Sequence, residues 1–325
     1  MRNRPEVKRY RDYNSYLRGI FGERVQKISL DAGLSCPNRD GTISREGCFF
    51  CNGRGSGTGA FAAGRTSIEE QIESARNFLE KRYGARKFIA YFQSFSNTYA
   101  PPEQLKRLYD TALAPPGMVG LSVATRPDCI NEAVLDLLAS YKGRALTWLE
   151  MGLQSAHDET LRRINRGHDA ACFERAVLAA HGHGIQVCAH VILGLPGETR
   201  EMMRRTARYL AALPVQGVKI HLLYVVRDTP LAHMYRRGEF KCLEREEYAD
   251  LVADFLERLP PRLVIQRLTG DPGPGELLAP AWALDKGANL EAIRRRLAER
   301  DTWQGRRYPG AEEMTGPGPG SQPSA

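Results

Sequence analysis

Long apolar runs are missing from the 325 residues. None approaches the roughly 18–20 residues that a membrane-spanning helix needs. The basic opening segment, MRNRPEVKRYRDYNSYLRG, lacks the apolar core of a secretory signal. The expectation is therefore a cytoplasmic protein with no membrane partner. Cysteine is scarce, and its count of seven is odd, which excludes a complete intramolecular disulfide framework. In a reducing compartment, clustered thiols bind metal more often than they pair. No Gly-Lys-Ser/Thr follows the glycines of GCFFCNGRGSGTGAF, so they form no phosphate loop. Gly53 to Gly59 read instead as flexible cover. No internal repeat is seen. Acidic residues are the minority, 38 against 46 Lys and Arg, for a formal charge of +8. That excess suits an anionic partner such as nucleic acid, and equally an evenly solvated basic surface.

What is present is an alternation of β-rich and helical stretches. Candidate strands are Val25–Leu30, Phe88–Gln93, Val119–Ala124, Thr147–Leu153, Gln186–Leu193 and Val218–Val226. Ser67 opens S-I-E-E, a capping-box arrangement with Glu70, for a helix running to about Tyr83. Further helices are read at about Glu103–Ala112, Asn131–Tyr141, Ala171–His181 and Arg200–Leu210. Six strand–helix units imply a parallel sheet with right-handed crossovers. Near-continuous apolar strands such as CAHVILGL fit a sheet covered by helices. Six units fall short of the eight of a closed barrel, so an open partial barrel or a doubly wound sheet fits. After residue 230, EREEYADLVADFLERLP reads as a helix, RLVIQRLTG as a strand and ANLEAIRRRLAER as a second helix. The expected organisation is a basic N-terminal segment (1–24), a main α/β unit (25–230), a small α+β C-terminal extension (231–308) and a disordered Gly/Pro-rich tail (309–325).

The sharpest signal is SCPNRDGTISREGCFFC, in which Cys36, Cys48 and Cys51 stand as C-x11-C-x2-C. The stretch follows the first strand, and loops after strand C-termini form the ligand-binding face of parallel α/β sheets. Soft thiolates favour iron–sulfur clusters or zinc. A structural zinc site takes four protein ligands, yet there is no second C-x2-C and no H-x3-H. Cys129, Cys172, Cys188 and Cys242 are scattered singly, as small hydrophobes would be. Three cysteines on a four-iron cluster leave one iron open to a small molecule. Zinc with a distant histidine and a redox dithiol are the other readings of the trio.

Here the sequence resembles the radical S-adenosylmethionine (SAM) enzymes, over about residues 20–270. The motifs are SCPNRDGTISREGCFFC, YFQSFSNTYAP, TRPDCI, GLQSAHDETLRRINRGHD and VILGLPGET. They are most similar to the YhcC/YtqA-type subgroup, related to the radical SAM domain of the Elongator catalytic subunit. The resemblance implies a partial (β/α)6 TIM-like barrel. It implies a [4Fe–4S] cluster on Cys36, Cys48 and Cys51, whose open iron binds SAM. Reductive cleavage of SAM then gives a 5′-deoxyadenosyl radical that takes hydrogen from the substrate.

The resemblance also suggests cofactor contacts. Phe50 stands where the family packs an aromatic near adenine; otherwise it anchors the loop. Gln93 and Ser94 occupy the place of a Gly-Gly-Glu or Gly-Gly-Thr motif that holds the SAM amino group. Arg126 suits a carboxylate or phosphate, or an ion pair with Asp128. Glu150, Gly152 and Gln154 alternate to one side of a strand; Gln154 is a SAM contact by resemblance, and Arg166 reaches the SAM carboxylate. Their plain alternative is a polar layer capping the sheet. His190 is a ribose contact or a hydrogen-bonded core residue, and Gly194 opens the turn that packs near adenine. Lys219 and His221 share a strand face and are candidates for phosphate binding or proton transfer. Tyr224, on the other parity, is expected against a helix. Tyr10, Tyr13 and Tyr16 interleave with basic residues, and Arg294, Arg295 and Arg296 form a run; both suit RNA contact as well as solvated helices. The expected function is modification of the C5 side chain of a tRNA wobble uridine, between carboxymethylaminomethyl- and aminomethyl-uridine. A flavodoxin- or ferredoxin-type donor supplies electrons. The rivals are a radical SAM enzyme for a small metabolite or porphyrin-like molecule, and a non-catalytic zinc- or cluster-containing RNA-binding protein.

Overall fold

The computed structural model describes residues 8–53, 55, 66–273 and 275–309. The tail beyond 309 and most of the Gly53–Gly59 cover lie outside the described residues. In chain order the main elements are α1 (Tyr13–Phe21), β1 (Val25–Leu30), α2 (Ile68–Tyr83), β2 (Lys87–Phe92), α3 (Pro102–Leu113), β3 (Met118–Thr125), α4 (Glu132–Ala139) and β4 (Leu146–Gln154). Then come α5 (Asp158–Arg163), α6 (Ala170–Gly182), β5 (Gln186–Leu193), α7 (Arg200–Ala212), β6 (Gly217–Leu222), β7 (Val225–Val226) and α8 (Pro230–Arg236). The chain closes with α9 (Arg245–Arg258), β8 (Val264–Arg267), β9 (Leu277–Ala279) and α10 (Lys286–Glu299).

Local chemistry explains the boundaries. Ser67 caps α2 through its side chain, while Glu70 returns a bond to the Ser67 amide at 2.8 Å. This reciprocal pair satisfies two donors that a helix start leaves open. Asn131, Asp169 and Thr199 cap α4, α6 and α7 one way, each side chain accepting from the amide three residues on. The strands bury both faces, one under helices and one within the curl of the sheet. Their order is β1-β2-β3-β4-β5-β6-β8, all parallel. This is a curled half-barrel of the TIM type, with helices outside.

Two expectations change in detail. The run Val218–Val226 breaks after Leu222, and β7 pairs antiparallel with β9. The segment RLVIQRLTG, assigned to the C-terminal extension, supplies β8 and extends the parallel sheet to a seventh strand. Its helix α9 packs on α7 and α10, so hydrophobic cover continues round the sheet. The sequence count missed this unit because α8 and β7 interrupt the alternation.

Helix α1 closes the N-terminal end of the half-barrel. Leu17, Tyr13, Tyr16 and Phe21 pack against Val25, Ile89, Val119 and Leu146 at the strand starts. Tyr13 and Tyr16 also meet the fully buried Trp148 edge-on, at centroid distances of 6.3 and 5.9 Å. These two tyrosines are therefore a floor, and the reading that offers them to RNA bases is overturned for them. Arg295 and Arg296 are engaged by Glu246 at 2.5 and 3.3 Å, and Arg294 by Glu291 at 2.7 Å. That run is an ion-paired helix face.

Candidate active site

The cysteine loop leaves β1 at its C-terminal end and folds over the mouth of the half-barrel. Its backbone is pinned from outside: Phe49 donates to Ile164 at 3.0 Å and accepts from Leu231 of α8 at 3.0 Å. Phe49 and Phe50 pack with Ile192, Leu195, Leu223 and Leu231. Cys36, Cys48 and Cys51 are free thiols bordering one cavity. Among the described residues, the His, Cys, Asp or Glu donors that gather in a threesome within 4.8 Å are the surface set Glu132, Asp136 and His183. The cysteine sulfurs do not draw together so tightly, which argues against a single tetrahedral ion on that trio.

Cations surround these thiols. Arg166 donates to Cys48 Sγ at 3.3 Å and to the Gly152 carbonyl at 2.8 Å. Arg126 approaches the same sulfur at 4.0 Å while gripping Asp128 at 2.6 and 2.8 Å. Asn38 contributes at 3.6 Å. Burial works against a Cys48 thiolate, but Arg166 and Arg126 outweigh it and hold the thiol below its usual pKa. Burial, then the neighbouring Cys48 charge, pushes Cys51 up to about 11. A bound metal centre deprotonates such a thiol outright. The donor set suits an iron–sulfur cluster.

The opposite wall comes from β4. A register shift between Gly152 and Gln154 places Gln154 at φ +72°, a conformation that non-glycine residues avoid. Gln154 and Arg166 both occupy the space that a side chain on Gly152 would need: an added Cβ would lie 2.5 Å from Arg166 Nη2 and closer still to Gln154 Nε2. Phe50, Gln93, Arg126, Glu150, Gln154, Arg166 and His190 border the same cavity. Ser94 and Gly194 do not border it. Ser94 is buried, with its carbonyl accepting from Asn97 at 3.0 Å. Gly194, at φ +90°, leaves room for Leu243, whose Cδ1 would stand 2.8 Å from an added Cβ.

The inner end of the cavity holds a charged cluster. Glu150 has a side-chain exposure of 0%. Its Oε1 accepts from Lys27 at 2.5 Å, and its Oε2 accepts from Lys219 and lies 2.9 Å from His190 Nε2. Both carboxylate oxygens are thus spent inside the protein. Lys27 lies 4.8 Å from the ring centroids of Tyr13 and Tyr91, and Lys219 lies 4.2 Å from that of Tyr91. Burial, opposed by the Glu150 charge, pulls Lys219 down to about 7. Burial and then Lys219 pull His190 down to about 4, so it is neutral. The His221 ring lies tilted against His190 with centroids 5.2 Å apart, and among the described residues its buried Nε2 has no partner. Tyr224 also borders the cavity, contrary to the helix-facing expectation. The strand ends at Leu222, so strict alternation no longer governs it.

Lys27, Tyr91 and Arg267 border or reach this cluster and escaped the sequence reading. Lys27 had a signal: Ile28 and Leu30 take the helix-facing parity of β1, which leaves Lys27 on the inner one. Arg267 had none while β8 was assigned elsewhere.

A family model described as the radical SAM superfamily matches residues 40–210, and one described as the radical SAM C-terminal domain matches 215–299. YtqA of Bacillus subtilis is 44% identical over 308 residues, 94% of this chain and 95% of that one. YhcC of Escherichia coli K12 is 39% identical, covering 86% and 89%. Elongator complex protein 3 of Danio rerio is 30% identical over 159 residues, 47% of this chain and 28% of that one. In structure, an Elp3 from Methanocaldococcus infernus superposes with a TM-score of 0.65 at 19% identity, covering 86% of this chain and 64% of that one. The chain belongs to the radical SAM superfamily. It is an enzyme of that class, whose cofactors are a [4Fe–4S] cluster and SAM. Within the superfamily it groups with YtqA and YhcC. No helix among the described residues is long and apolar enough to cross a membrane.

Proposed function

We propose that the enzyme modifies the C5 side chain of a tRNA wobble uridine, between carboxymethylaminomethyl- and aminomethyl-uridine. The observation that carries this reading is a chamber lined by polar side chains and floored at the strand starts, in a chain similar to Elongator complex protein 3. A chamber of that form takes an extruded nucleoside better than a base within a helix, and the surplus of basic residues suits an RNA partner. Cys36, Cys48 and Cys51 would hold the cluster. Bound there with SAM and reduced by a flavodoxin- or ferredoxin-type donor, it supplies the 5′-deoxyadenosyl radical. Arg166 and Gln154 orient the carboxylate end of SAM, and Phe50 packs near its adenine. Arg126, kept charged beside Asp128, and Asn38 hold the Cys48 side of the loop in place. The α8 contacts of Phe49 and Phe50 keep water from the mouth, because a primary radical reacts with whatever it meets. Close placement of the reacting carbons supplies the rest.

The test compares tRNA nucleosides from cells with and without the gene, then repeats the reaction with purified, reconstituted protein, SAM and dithionite. The expected result is loss of one C5-modified uridine in the deletion strain and RNA-dependent product in vitro. Full turnover without RNA would overturn the reading in favour of a small metabolite or porphyrin-like substrate.

A further inference from the structure

The inner cavity wall contains a cation that no described residue neutralises. Arg267 of β8 borders the cavity, and among the described residues its guanidinium makes no hydrogen bond or ion pair. Its register partner across the sheet is Lys219 of β6. His221, two residues further along β6, has a buried Nε2 without a partner. The carboxylates bordering this cavity are Glu150 and Glu276. Glu150 is shared by Lys27, Lys219 and His190, and Glu276 is engaged as well. An unpaired guanidinium beside an ammonium is costly in a partly buried wall unless an anion completes it.

We infer that Arg267, with Lys219 and His221, forms a subsite for a carboxylate on the substrate. A guanidinium presents two parallel N–H donors that match a carboxylate edge. The neutral imidazole adds one further donor or acceptor, and Lys219 adds charge from the neighbouring strand. The subsite borders the same cavity as Cys36, Cys48 and Cys51. A substrate pinned there by its carboxylate lies within the chamber that the three cysteines border. The inference deepens the uridine reading, on which the identity of the carboxylate rests: the carboxymethylaminomethyl group carries one, and the aminomethyl group does not.

Two measurements separate the subsite from the substrate. In the first, arginine modification by phenylglyoxal is followed at the Arg267 peptide of the full chain, with acetate or inorganic phosphate present. Protection by acetate but not by phosphate supports the subsite; protection by neither, or by phosphate equally, overturns it. In the second, binding of carboxymethylaminomethyl-uridine is compared with that of aminomethyl-uridine. The wild type is expected to prefer the carboxylated nucleoside by about tenfold, Arg267→Gln to lose the preference, and Arg267→Lys to keep part of it. A preference that survives Arg267→Gln overturns the subsite. Acetate protection with no preference between the nucleosides leaves the subsite standing and overturns the uridine reading.

Discussion

Replacing Glu150 by Gln removes the counter-charge of one buried and one half-buried ammonium group while keeping the shape of the side chain. Lys27 and Lys219 both bond this carboxylate, and breaking a buried pair costs ~3–5 kcal/mol. Unfolding entropy of ~2.1 cal/mol/K per residue gives ~0.7 kcal/mol/K for a chain of this length, so the melting temperature should fall by ~4–7 °C. The pH dependence is more diagnostic. The folded pKa of Lys219, about 7, lies below its unfolded value of about 10.4. The folded ammonium therefore costs stability at low pH, and the cost fades as pH rises toward the unfolded value. Without Glu150 the folded value drops further. Above pH 7 the two proteins share the same Lys219 cost; below it the wild-type cost stops growing, while that of the variant grows by ~1.4 kcal/mol per pH unit. Glu150 itself is held well below the usual carboxylate range, with Lys219 and Lys27 outweighing its burial. It therefore stays ionised across pH 5–9 and adds no slope. Denaturant unfolding of the cluster-free protein from pH 5 to 9 reads the gap directly. Parallel stability curves across that range would refute the assignment of Glu150 as the charge partner of Lys219.

Cys48→Ala should abolish the iron–sulfur absorbance and SAM cleavage together; a variant that reconstitutes with the wild-type iron content would remove Cys48 from the ligand set. Gly152→Ala should displace Arg166 and Gln154, because the new methyl would fall 2.5 Å from Arg166 Nη2. The expected outcome is SAM affinity weakened by about tenfold, or ~1.4 kcal/mol, with iron content retained. Unchanged affinity in equilibrium dialysis would show that the two side chains do not hold SAM.

Much of the architecture was legible because parallel strands under helices read as apolar runs at regular spacing. Val25–Leu30 and Gln186–Leu193 coincide with β1 and β5, and the capping box of Ser67 and Glu70 marks the start of α2. The trio of cysteines and the two-residue rhythm of Glu150, Gly152 and Gln154 pointed to the cavity. Long-range pairing was not legible. Nothing local tells Val264–Arg267 to add to β6, so Arg267 stayed hidden. Interleaved Tyr and Arg look alike whether they face solvent or a barrel floor; the burial of Tyr13 against Trp148 is decided by the whole sheet. Nor did spacing reveal that both Glu150 oxygens are taken by Lys27, Lys219 and His190, which come from three other strands.

The tyrosine floor under the strands has a consequence for traffic. With that end stoppered by Tyr13, Tyr16 and Trp148, the described residues leave no passage between the strand starts. One short helix thereby turns the half-barrel into a cup, with the cysteine loop at its rim and Glu150 in its depth.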